Sequence, residues 1–328
     1  MRSMEMIISR KGFVILLSMF VFSLHGEVVG AEKDRYGIIL PLTGEFAYVG
    51  MDIQKGLDEC LKREGIINSV KINYQDNKSY SRLETVKAFK HMVTQGSKII
   101  FLSVVPEVKT VESLALKAKV PVVVLWDKFR GKLPPNITSI GFSVEASAEQ
   151  MAEFAFNTLK KRRVAIIAAI DEWAEVVTKS FSERFIKLGG KIVYKDEVNL
   201  QETNLLPVLL KAKTRKPDAF FLPMYSTSLS ATLKQIKNLH LKQTILTPDG
   251  LTDSVIKEIG EYAEGVYTYR PLKPAFGELP PGRSGFYGMG LSACKVIKHY
   301  METGTILKGP EPHLQTMGIV REGRWKML

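Results

Sequence analysis

The chain has 328 residues, enough for two domains of about 150 residues each and a sizeable buried core. Apolar residues make up 45%, charged residues 24%, and 25 Gly with 15 Pro are ordinary for a globular protein, which excludes collagen-like, low-complexity and disordered chains. A formal charge of +12 is strongly basic, but Lys and Arg are spread along the chain without a basic block or interleaved aromatics, so no nucleic-acid partner is expected.

The first segment reads as a targeting signal. Arg10 and Lys11 precede an apolar stretch from Gly12 to Leu24, and Val29-Gly30-Ala31 offers small residues for cleavage before a charged run. The stretch spans about 20 Å as a helix, too short to cross a bilayer. Residues 1 to 31 are therefore expected to be a signal peptide cleaved near Ala31. No cysteine stands beside that point to carry a lipid, so the mature chain is expected in the periplasm of a two-membrane bacterium.

From residue 35 short apolar runs alternate with amphipathic segments, the pattern of parallel βαβ units. The spacing predicts a strand over Arg35 to Leu40, a helix over Met51 to Glu64, a strand over Val70 to Tyr74 and a helix over Ser81 to Gln95. Lys98 to Val105 and Val120 to Trp126 are continuous apolar strands around a helix over 107 to 118, both read as buried on two faces. A second set follows Gly141: a helix over Glu145 to Lys160, a strand over Arg163 to Ile170, a helix over Glu172 to Leu188 stopped by Gly189-Gly190, and a strand over Lys191 to Val198. It continues with a helix over Asn204 to Lys213, a strand over Pro217 to Met224, a helix over Ser226 to Leu239, and strands over Thr244 to Thr247 and Gly265 to Tyr269. A last helix, Leu291 to Met301, has no strand set of its own and must pack on an existing lobe, so the chain crosses between lobes more than once.

The fold class expected is α/β, two doubly wound Rossmann-like lobes joined by a multi-crossing hinge. The first lobe takes residues 32 to 142 plus about 270 to 305, the second takes 143 to 269, and 306 to 328 form a tail returning to the lobes.

Evidence for catalysis is missing from the motifs. Gly44 and Gly50 are too far apart for a dinucleotide loop, and no P-loop, nucleophile-elbow or zincin pattern occurs. The histidines outside the signal segment, His91, His240, His299 and His313, are isolated, and no metal or cofactor is expected. Cys60 and Cys294 sit on apolar helix faces; buried free thiols are the default expectation, and export leaves pairing open.

Aromatics and acids do recur at the carboxyl ends of the predicted strands, where open α/β sheets bind ligands. Tyr48 and Val49 follow the first strand, Ser103, Val105 and Pro106 the third, and Trp126, Asp127 and Lys128 the fourth. In the second lobe Trp173, Tyr225 and Asp249 hold the matching positions. Singly, each has a bland reading as a core-edge ring or a turn residue. Together they read as a cleft for a small organic solute, with rings supplying rigid apolar area and Asp249 available to an ammonium group.

The motif Ile38-Ile39-Leu40-Pro41-Leu42-Thr43-Gly44, followed by Gly50 and Gly56, resembles the opening of the periplasmic leucine/isoleucine/valine-binding proteins. Tyr74-Gln75-Asp76-Asn77, Val120-Pro121, Leu188-Gly189-Gly190, Pro217-Asp218-Ala219, Pro248-Asp249-Gly250-Leu251 and Ala263-Glu264-Gly265-Val266-Tyr267 follow in the family's order. The resemblance implies a two-lobed, venus-flytrap solute-binding protein with three hinge crossings and no catalysis. It also implies an amino-acid-like ligand, closure around it, and delivery to an inner-membrane ABC permease by a monomer. A ligand sensor of the same fold is the alternative function, and a secreted α/β enzyme a more distant one.

By motif, Asp249 matches the acid that meets the ligand ammonium, Tyr225 and Trp173 match ring positions, and Val49 a first-lobe contact. The resemblance also exposes departures. Where the family has small hydroxyl residues for the ligand carboxylate, this chain has Val104-Val105-Pro106-Glu107 and Trp126-Asp127-Lys128, with Ser103 alone nearby. These point away from an unmodified branched-chain amino acid.

Overall fold

The structure, a computed structural model, describes residues 33–128, 131–270, 273–309 and 315–328. The expected signal peptide lies outside the described residues. Five strands form a first sheet in the order β2-β1-β3-β4-β6, all parallel: β1 Asp34–Leu40, β2 Val70–Asp76, β3 Ile99–Leu102, β4 Val122–Val124 and β6 Ile137–Ser139. β3 and β4 are buried along their whole length, as continuous apolar runs require when helices cover both faces. Those helices include α1 Ala47–Arg63, α2 Arg82–Thr94 and α3 Pro106–Ala118. A two-residue strand β5, Asp127–Lys128, pairs in parallel with β7, Phe142–Ser143, just before the chain enters α4, Val144–Glu153.

The second sheet has the order β14-β13-β12-β11-β10-β8-β9. Its parallel strands are β8 Arg163–Ala169, β9 Lys191–Val198, β10 Ala219–Phe221, β11 Thr244–Thr247 and β12 Tyr267–Arg270. They alternate with α5 Glu172–Lys187, α6 Leu206–Thr214, α7 Ser226–Asn238 and α8 Asp253–Ile259. α4 continues as a π-helical turn over Phe154–Thr158, so the single helix predicted there is two pieces. α9, Gly285–Thr303, then returns to the first sheet, and β13 Thr316–Arg321 and β14 Arg324–Met327 add antiparallel to the second. The tail after Gly309 thus supplies two sheet strands that the sequence reading did not foresee. Among the described residues no helix is long and apolar enough to cross a membrane.

α9 packs along α1 at close range. A Cβ added to Gly56 would lie 2.1 Å from the Tyr287 carbonyl oxygen, and one added to Gly290 would lie 2.1 Å from that of Ile53, so both positions require glycine. Cys60 and Cys294 face each other across this contact with Cα atoms 6.1 Å apart and form a disulfide. The expectation of free thiols is corrected: burial does not distinguish a small core residue from half of a bridge, and the partner lies 234 residues away.

Candidate cleft between the two sheets

The carboxyl ends of both parallel sheets converge on one cavity of about 250 Å³. From the first sheet come Tyr48 and Val49 at the start of α1, Ser103 after β3 and Pro106 as the first residue of α3, and Trp126 and Asp127 after β4. From the second come Trp173 in the first turn of α5, Tyr225 at the N-cap of α7, and Asp249 in the turn after β11. These nine predicted residues are brought together. Val105 and Lys128 are not among the lining. Val105 is the N-cap of α3, its side chain turned into the core beneath α2 and α3. Lys128 follows Asp127 on a strand, where successive side chains point to opposite faces, so one faces the cavity and the other cannot.

Sequence reasoning left several lining residues off the candidate site. Phe46 sits in the β1–α1 loop, and its ring meets Tyr80 at 5.3 Å and Tyr225 at 5.1 Å. Tyr80 closes a run of left-handed residues, with φ of 51° at Lys78, 59° at Ser79 and 68° at Tyr80. Such backbone costs roughly 1 kcal/mol or more per non-glycine residue, and side-chain bonds hold it here. Asp76 Oδ1 accepts from Lys78 N at 2.8 Å, Asn77 Oδ1 accepts from Tyr80 N at 3.0 Å, and Ser79 Oγ donates to the Thr43 carbonyl at 2.9 Å. Phe286, in the first turn of α9, stacks on Trp126 with centroids 4.3 Å apart.

The acids divide into those already engaged and those open to the cavity. Glu107, buried in the first turn of α3, accepts from Asn77 Nδ2 at 2.8 Å, Ser103 N at 3.0 Å and Val104 N at 3.2 Å. It therefore fixes the turn after β3. Burial lifts its pKa to about 7 in spite of these donors. Asp171 caps α5 by accepting from Ala174 N at 2.7 Å and also accepts from the Tyr225 hydroxyl. Glu172 pairs with Lys109 of α3, one of the polar contacts joining the layers of the two sheets; Gln201 Nε2 donating to Glu45 Oε2 at 3.0 Å is another.

Asp127 and Asp249 are less fully occupied. Asp127 is 1% exposed and its Oδ1 accepts from Val105 N at 2.6 Å. Burial raises its pKa to about 8, against the pull of the Val105 amide, and the charges of Asp249 and Glu107 raise it further. Asp249 is enclosed by protein apart from its face on the cavity, and burial lifts its pKa to about 6. Its polar side-chain neighbours, Gln315 and Trp126, are neutral. Among the described residues no group of three or more His, Cys, Asp or Glu has metal-site geometry.

A pair of doubly wound sheets with a solute-sized, ring-lined cavity at their facing strand ends defines a periplasmic-binding-protein architecture. The periplasmic binding protein family model matches residues 35–283, and the chain belongs to that family. Among curated relatives, Leu/Ile/Val-binding protein homolog 6 of Brucella suis is 22% identical over 269 residues, covering 78% of this chain and 68% of that one. Among solved structures, the leucine binding protein LivK of Thermotoga maritima superposes with a TM-score of 0.77 at 18% identity, covering 90% of this chain and 97% of that one. An ABC transporter solute binding protein of R. palustris in complex with 4-hydroxybenzoate gives a TM-score of 0.74 at 18% identity, covering 90% and 96%.

Proposed function

We propose that this protein is the extracytoplasmic solute receptor of an ABC transporter, binding a small polar organic molecule between its two lobes without altering it. The observation that carries this reading is the cavity between the strand ends, closed in by rings from both sheets and holding carboxyl oxygens that face inward. Contacts from both lobes exist together only when the lobes are close, so a ligand that uses both favours the closed form, which the permease then reads. The buried disulfide supports export, because such bonds persist in oxidising compartments. Signal-peptide cleavage near Ala31 belongs to the same proposal.

A thermal-shift screen over amino acids, amides, amines and carboxylates tests it, followed by mass spectrometry of the recovered compound. A ligand at 100 times its Kd adds about 2.7 kcal/mol, or about 5 °C or more in Tm, and should be recovered intact. Recovery of a chemically changed product would replace the receptor reading with an enzyme.

A further inference from the structure

We propose that the ligand is an organic cation, an amine or ammonium group on a flat apolar body without a carboxylate of its own, whose charge sits between Asp127 and Asp249. This rests on the receptor reading and names the chemistry of the same cleft. Asp127 comes from the first sheet and Asp249 from the second, and each faces the cavity. They are near enough for the Asp249 charge to act on Asp127, and the Trp126 side chain reaches Asp249 as well. Closing the lobes on an empty cavity thus sets two carboxyl groups against each other in a site poor in water. A cation between them lets both acids ionise and offsets their mutual repulsion.

The remaining walls fit the same occupant. Trp126 with Phe286 and Trp173 with Tyr225 present ring pairs whose centroids lie 4.3 Å and 5.0 Å apart. Such faces attract a cation and stack on a flat hydrocarbon. The donors after β3 that could receive a ligand carboxylate are already engaged. Glu107 already takes the backbone amides of Ser103 and Val104, and the Ser103 hydroxyl donates to the Ile39 carbonyl at 3.3 Å. Arg82 is the only basic side chain among the described lining residues, and it is exposed, so it can meet a group at the mouth but not one held between the two acids.

Three probes of similar size but different charge decide the matter: benzylamine, benzoate and L-leucine. They are titrated into the full-length mature protein and into Asp127→Asn and Asp249→Asn, with Tm and calorimetric affinity as readouts. Benzylamine should stabilise the wild type, and each variant should bind it about tenfold more weakly or worse, since a charge-assisted contact is lost. The unligated variants should melt no lower than wild type, because each loses one of two facing acids; this separates lost binding from lost folding. Tighter binding of benzoate or leucine than of benzylamine, undiminished in the variants, would overturn the cation while leaving the receptor intact. Binding of none of the three would overturn the flat apolar cation, while the receptor reading stands or falls on the wider screen.

Discussion

The α1–α9 contact and the cleft are both largely buried, yet they are built on opposite lines. At α1–α9 the glycines and the disulfide let the helices close without a gap, and the polar side chains there are matched to partners: the Tyr287 hydroxyl donates to Glu59 at 2.7 Å and the Ser292 hydroxyl to the Gly288 carbonyl at 3.1 Å. In the cleft, carboxyl groups from two elements face each other and rings line an open volume. One contact gains stability from every atom it buries. The other holds back stability that a ligand can supply, as sites for binding commonly do.

Cutting the disulfide should have the largest effect. A bridge closing a loop of 234 residues restricts the unfolded chain by about 5 kcal/mol in the chain-entropy account. Cys60→Ala with Cys294→Ala, or reduction of the wild type, should lower Tm by on the order of 10 °C. Ligand affinity at a temperature where both forms are folded should not change, since neither residue lines the cleft. A drop under about 2 °C, or an equal loss of affinity, would erase the contrast between the two regions.

The same contrast explains what could be read from the sequence. β9 and β11 fall on their predicted residues because long apolar or alternating runs are bounded by Gly, Pro or charged turns. β5 and β7 have two residues each and carry no period, and β13 and β14 combine polar residues with a Gly turn that reads equally well as loop. In the cleft, Tyr48, Trp173, Tyr225 and Asp249 were visible because a parallel strand delivers whatever follows it to the site. Tyr80 was not, because three left-handed residues reset the chain direction after β2. Phe286 was not, because it arrives from α9 through the final crossover, and the Cys60–Cys294 pairing was hidden by the same long-range return. Local pattern encodes the strands; only the crossovers decide which distant helix meets them.

The pH response of each buried acid of the cleft, taken singly, comes next in size. Glu107, Asp127 and Asp249 have folded pKa values raised to about 7, 8 and 6, against ordinary carboxylate values in the unfolded chain. Between those limits the folded state binds more protons than the unfolded one, so stability is greatest near pH 4 and falls as pH rises toward 8. Each proton held in excess contributes about 1.4 kcal/mol per pH unit. Glu64, held at about 2 by Lys295 and Lys298, acts in the opposite sense but only as pH falls below the usual carboxylate range. The unligated Tm should therefore decline from pH 5 to 8, and Asp127→Asn should flatten that decline. A bound amine should reverse it, because a cation stabilises the ionised carboxylates. A flat wild-type profile would mean that the acids stay solvated in the folded protein.

The smallest effect belongs to the polar link over the cleft. Lys109 and Glu172 join α3 to α5, and with side chains 70% and 30% exposed the pair is well screened by water. Such pairs contribute about 0 to 1 kcal/mol, so Lys109→Ala should move the unligated Tm by no more than about 2 °C. Its position gives it a second readout that an ordinary surface pair lacks. If the pair forms only when the lobes are closed, losing it weakens ligand binding by the same small energy, at most about fivefold, and added salt should abolish the difference between variant and wild type. Equal ligand affinity at low salt would show that the pair does not select the closed form, leaving the rings and the facing acids to set the balance between open and shut.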